Sequence, residues 1–111
     1  MRRPPTIGRR AWVLLMPDQP HVLRVDGSIT DLPPREPTLE ELQAAVGGYI
    51  EVLQIRWLGR PGLMVLDEQG KLKGKPVNFK ADEIARTAGL ATWDVIVGDV
   101  VVLVGKEVML T

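Results

Sequence analysis

The chain has no cysteine and a single histidine, His21. Without cysteine there are no disulfides, thiolate metal sites or cysteine nucleophiles, and one imidazole is little material for a transition-metal centre. We therefore expect no metal and no cofactor. Serine is almost as scarce, with Ser28 alone. His21 and Ser28 lie on either side of an expected turn, and no acid nearby has triad geometry from the sequence. Long apolar runs are also missing: nothing reaches the roughly 18 residues of a membrane span, and Met1-Arg2-Arg3-Pro4-Pro5 does not open into a secretory signal. The expectation is a cytoplasmic protein with no membrane partner.

The N-terminal end also lacks acid. The first ten residues hold Arg2, Arg3, Arg9 and Arg10 and no carboxylate, although the whole chain balances 14 basic against 14 acidic residues. With those four set aside, 10 basic groups face 14 acidic ones downstream. Pro4, Pro5 and Gly8 favour an extended chain, so residues 1–10 read as a flexible basic arm and residues 11–111 as one domain.

Hydrophobic patterning supplies the elements. Residues 11–25 read as a hairpin, with turn chemistry at Pro17-Asp18-Gln19-Pro20. Pro33, Pro34 and Pro37 then make residues 28–37 an extended connection. Thr38 and Glu41 have capping-box spacing, and Leu39, Leu42 and Val46 recur at helical intervals, which predicts a helix of about nine residues. Gly47 or Gly48 closes it in the left-handed conformation. Residues 49–58 alternate as a long, largely buried strand. Gly59-Arg60-Pro61-Gly62 turns the chain into residues 63–66, and the sheet grows as a meander. Asn78 caps a second helix over residues 79–88, stopped at Gly89, and a last strand covers residues 95–104, interrupted at Gly98-Asp99. The fold class expected is α+β: a mostly antiparallel sheet of about five or six strands with two short helices on one face.

Three stretches, VGGYIEV (46–52), LDEQGKLKGKPVN (66–78) and VIVGDVVVLVG (95–105), carry a resemblance. In order and spacing the chain resembles a family of small, mostly phage- and plasmid-encoded domains of unknown function. The matching positions are Gly47, Gly48, Tyr49, Ile50, Glu51, Asp67, Gly70, Pro76, Asn78, Ala81, Gly98 and Asp99. The resemblance implies a compact domain of mobile-element origin and carries no reaction or ligand with it.

The chemical readings of the residues themselves are three. The first is a non-enzymatic module that docks on a host or element-encoded protein through a sheet edge or the corner at Gly48, Tyr49 and Glu51, with Asn78 and Asp99 as further contact candidates. The second is a nucleic-acid binder that uses Arg2, Arg3, Arg9 and Arg10 with Lys71, Lys73, Lys75 and Lys80, beside Phe79 for stacking. The third is a small-ligand binder built on Glu51, Asn78 or Asp99. A phosphate loop is excluded: Gly70 and Gly74 enclose three residues rather than four, and proline follows Lys75. Trp12, Trp57 and Trp93 are too scattered to form a platform and read as core. Oligomeric state is left open by the sequence.

Overall fold

The computed structural model describes residues 19–57, 59–90 and 94–104. Within them an antiparallel sheet of five strands runs in the order β2-β1-β5-β4-β3, where β1 is His21–Leu23, β2 Ile29–Asp31, β3 Ile50–Trp57, β4 Arg60–Asp67 and β5 Val100–Val104. Helix α1 is Leu39–Val46 and helix α2 is Phe79–Thr87. The α+β class and the antiparallel sheet agree with the sequence reading.

The helices lie on opposite faces, which corrects the expectation that both cover one. Alternate residues of β4 and β5 divide between two cores. Met64, Leu66, Val100 and Val102 pack with Ala81, Ile84 and Ala85 of α2, whereas Val65, Val101 and Leu103 pack with Val46 of α1. The cause is the unbroken apolar run of β5. A central strand without polar alternation needs cover on both sides.

The connections differ from the expected meander too. The Asp26-Gly27 turn leads into β2, which pairs Leu23 with Ile29 and His21 with Asp31, so part of the expected extended connection is a strand. Strand β1 is paired on both sides, by β2 and β5, and the first strand expected of a hairpin over residues 11–25 falls on residues 11–16. Residues 11–16 themselves lie outside the described residues, as do the arginines of the arm, Trp12 and Trp93. The last strand is shorter than expected. Only residues 100–104 are in β5, and Val97 makes an isolated bridge with Val77.

Strand β3 is an edge strand with one buried residue, Ile55, rather than the largely buried strand expected. Arg60, Pro61 and Gly62 are already in β4, and Trp57 pairs with Arg60, so the chain reverses before the Gly59-Arg60-Pro61-Gly62 stretch is complete. Proline is tolerated in β4 for a local reason. Position 61 pairs with Arg56, and because the Glu68 amide donates to Tyr49 O at the opposed pair 49–68, the alternation of the ladder leaves 56–61 a pair without hydrogen bonds between its members. No donor to β3 is needed there.

Both helix starts form as the sequence predicts. Thr38 Oγ1 accepts from the Glu41 amide at 3.1 Å and the Thr38 amide donates to Glu41 Oε1 at 2.8 Å, a complete capping box. Arg35 adds a bidentate pair to the same carboxylate, at 2.9 and 2.8 Å. The apolar face of α1 is shorter than expected. Val46 is buried and Leu42 and Ala45 pack beside it, but Leu39 in the first turn is exposed.

Candidate functional site

The double glycine joins α1 to β3, and its two residues do different things. Gly47 has φ 86° and ψ 25°, the left-handed C-cap, with its amide donating to Gln43 O at 2.8 Å. Gly48 is needed for space. A β-carbon there would lie 2.5 Å from Lys73 Nζ and 2.9 Å from Asp67 Oδ1. The glycine pair is therefore a joint, as expected, and its second member makes room for an ion cluster.

That cluster centres on Asp67, 3% exposed at the end of β4. Lys73 Nζ donates to Asp67 Oδ2 at 2.7 Å and to Gly47 O at 3.0 Å. Lys75 Nζ lies 2.8 Å from the same carboxylate oxygen and donates to Val46 O at 2.5 Å. Two ammonium groups thus sit at the negative end of α1, where the last carbonyls have no helical partner, and one buried carboxylate offsets half of their charge. Burial pushes the Asp67 carboxyl up, but hydrogen bonds from Lys73, Lys75 and the Gln69 amide outweigh it and hold the group well below the ordinary aspartate value.

A second polar knot uses Asn78, 1% exposed. Its Oδ1 accepts from the Ala81 amide at 3.1 Å as the N-cap of α2, and its Nδ2 donates to Leu23 O at 2.8 Å and Gly98 O at 2.9 Å. Next to it Asp99 accepts from the Val25 amide at 2.9 Å and from Arg24 at 3.2 Å. Together the two side chains pin the β1–β2 hairpin to the start of α2 and the approach to β5. Neither carries a free functional group outward, which argues against their use as partner contacts. Asp99 lies just before β5 and is half-buried rather than within the last strand, while Glu51 is in a strand as expected but exposed on it.

The lysine interval is mostly engaged internally. Lys71 pairs with Asp94, and Lys73 and Lys75 are held by Asp67. Lys80 stands on the exposed side of α2, beside Phe79, Glu83 and Arg86 around an open hollow. Phosphate neutralisation would require the first three to abandon buried or half-buried carboxylates, so this loop is not a free cationic surface.

The corner after the glycines is also turned outward. Tyr49 is 69% exposed. With Gly48 it borders a shallow hollow lined also by Gln43, Ala44, Gln69 and Lys73. Sequence reasoning found the corner but not the hollow, because Gln69 and Lys73 reach it only through the fold of the 67–75 turn.

One pair was not foreseen. His21 Nδ1 lies 2.6 Å from Asp31 Oδ1 across the β1–β2 ladder, and Trp57 meets the imidazole edge to face at a centroid separation of 5.8 Å. Register is the signal that finds it, since His21 and Asp31 are direct cross-strand partners. Ser28 is at the other end of that hairpin, bonded to Asp26, so no serine nucleophile faces the imidazole. Among the described residues no three His, Cys, Asp or Glu side chains group as metal ligands, and no helix is long and apolar enough to cross a membrane.

These features define a small α+β domain in which Asp67, Asn78 and Asp99 are turned inward to fasten its elements. The chain belongs to the domain of unknown function family DUF3846, whose model matches residues 13–108. No curated protein and no solved structure matches it.

The joint has a direct test. Gly48→Ala is expected to lower stability by about 1 kcal/mol, because the new β-carbon must displace the Lys73 ammonium and press on Asp67. Urea unfolding measures it. The loss should shrink when Lys73→Ala is added, since one obstruction is then gone.

Proposed function

We propose that this domain is a non-enzymatic protein-interaction module that docks a partner protein at the corner formed by Gly48, Tyr49 and the adjoining hollow, with Glu51 at its margin. The observation that carries the reading is the exposure of Tyr49, the sole tyrosine of the chain, beside a hollow with two carboxamides and an ammonium group. Tyrosine gives a large contact area at low entropy cost and a hydroxyl for orientation, which is why it is enriched among interface hot spots. The partner would be a host or element-encoded protein met in the cytoplasm; the mobile-element part of this reading rests on the motif resemblance alone.

A photoreactive phenylalanine analogue placed at position 49, with a second copy of the experiment at Lys80, tests the proposal in the cell that makes the protein. Position 49 is expected to give one discrete protein adduct and position 80 none. Nuclease-sensitive adducts at position 80 without any at 49 would instead favour the nucleic-acid reading.

A further inference from the structure

Sheet edges expose unpaired amides and carbonyls, and proteins blunt them with short length, proline, lysine, bulges or covering elements. Strand β2 fits that rule. It has three residues and runs on to Pro33 and Pro34. Strand β3, the opposite edge, does not. Its eight residues contain no proline, glycine or lysine, and its register with β4 runs unbroken from Ile50 opposite Asp67 to Trp57 opposite Arg60.

The phase of the ladder fixes which backbone groups face out. The Glu68 amide donates to Tyr49 O at 2.8 Å, so residues 49, 51, 53, 55 and 57 bond towards β4. In an antiparallel ladder the intervening residues then point their amides and carbonyls the other way. Among the described residues no strand pairs with that side, so the open edge is Ile50, Val52, Gln54 and Arg56, all able to donate.

We propose that this edge is the interface of a homodimer in which β3 pairs antiparallel with β3 of a second copy about a twofold axis at Leu53. The register sets Tyr49 opposite the partner's Trp57, so the dimer borders the Tyr49 corner, but the tests below do not depend on what docks there. A twofold perpendicular to a continuous sheet keeps each face on its own side, so only residues of like parity can stand opposite one another. Of the registers this allows, the one centred at Leu53 places Ile50 opposite the partner's Arg56 and Val52 opposite the partner's Gln54. It makes about eight backbone hydrogen bonds, whereas a shift of one residue towards Gln54 leaves about six.

Side chains agree with that register. No like charges face each other: Arg56 meets an isoleucine, and Glu51 stands opposite the partner's Ile55. The two Glu51 carboxylates are separated by roughly 13 Å along the strands. Val52 is 47% exposed in the single chain and gains cover from the partner's Gln54. The formal net charge of the chain is zero, so no overall repulsion opposes the meeting of two copies.

The absence of cysteine makes the test clean. The full chain at about 100 µM should show twice its 12.3 kDa mass by light scattering. Leu53→Cys should form an intermolecular disulfide on mild oxidation. At a non-hydrogen-bonded pair on the axis the Cα atoms approach to about 4.5 Å, within disulfide range. Gln54→Cys, off the axis, should link at least tenfold more slowly. Gln54→Pro removes an outward donor but no bond to β4, and should give the single-chain mass with an unchanged circular-dichroism spectrum. If that variant fails to fold, Val52→Lys decides instead. A single-chain mass for the unaltered protein, a dimer that survives the edge variants, or faster linking at 54 than at 53 would overturn the proposal.

Discussion

Asn78→Ala is expected to destabilise the domain by about 3 kcal/mol, a large part of the roughly 5–15 kcal/mol that holds a domain of this kind folded. Three losses add. The N-cap of α2 disappears, at about 1 kcal/mol, and the carbonyls of Leu23 and Gly98 each lose a buried donor, at about 1 kcal/mol apiece. The orientation of the amide follows from its neighbours, because one amide N–H faces Oδ1 while two carbonyls face Nδ2. Asn78→Asp keeps the cap but sets a carboxylate against those carbonyls, so it should rescue little. Asn78→Ser keeps the cap alone and should recover about 1 kcal/mol. Urea unfolding curves of the three variants, with slopes compared to exclude a change of unfolding mechanism, give the ranking.

The second large effect belongs to Asp67. Removing the carboxylate with Asp67→Ala leaves the Lys73 and Lys75 ammonium groups facing each other with only the carbonyls at the end of α1 to hold them. Breaking a buried ion pair costs about 3–5 kcal/mol, but both ammonium groups are half-buried and can turn to water, so about 2–3 kcal/mol is expected here. The same group sets an acid limit. Its folded pKa is depressed, as is that of Glu41, which the Arg35 guanidinium and then the Thr38 amide hold at about 2 against an ordinary 4.5. A depressed carboxylate contributes stability that is complete above its unfolded value and is lost as pH falls towards its folded one. Stability should thus decline from about pH 4.5 downwards. Asp67→Asn should flatten that decline, and thermal unfolding between pH 2 and pH 6 measures it.

Local signals in the sequence were read well where one residue satisfies one backbone need. Thr38 with Glu41, Gly47, and Asn78 at the start of α2 all occupy the positions their chemistry implies. The turn at Asp26-Gly27 was visible too, with alternating residues on both sides, yet the prolines after it drew the assignment away from β2. Three residues of strand are enough to pair before Pro33. Long-range order was not legible. Nothing local says that β5 enters between β1 and β4, although the apolar run of β5 already implied cover on both faces. The candidate site shows the same division. Gly48 announces a special position, but its reason is the approach of Lys73 and Asp67 from a turn about twenty residues away, and only the folded chain brings them together. Asn78 and Asp99 looked available for binding because exposure cannot be read from residue type.

The central claim is a division of labour: Asp67, Asn78 and Asp99 fasten the fold, and Tyr49 and Glu51 are free to act outside it. Urea unfolding of the five single alanine variants at pH 7 tests it most directly. The account predicts losses of about 1.5 kcal/mol or more for the first three and changes within about 0.5 kcal/mol for the other two. Near-neutral values at Asp67, Asn78 and Asp99 together with a large loss at Tyr49 or Glu51 would contradict it.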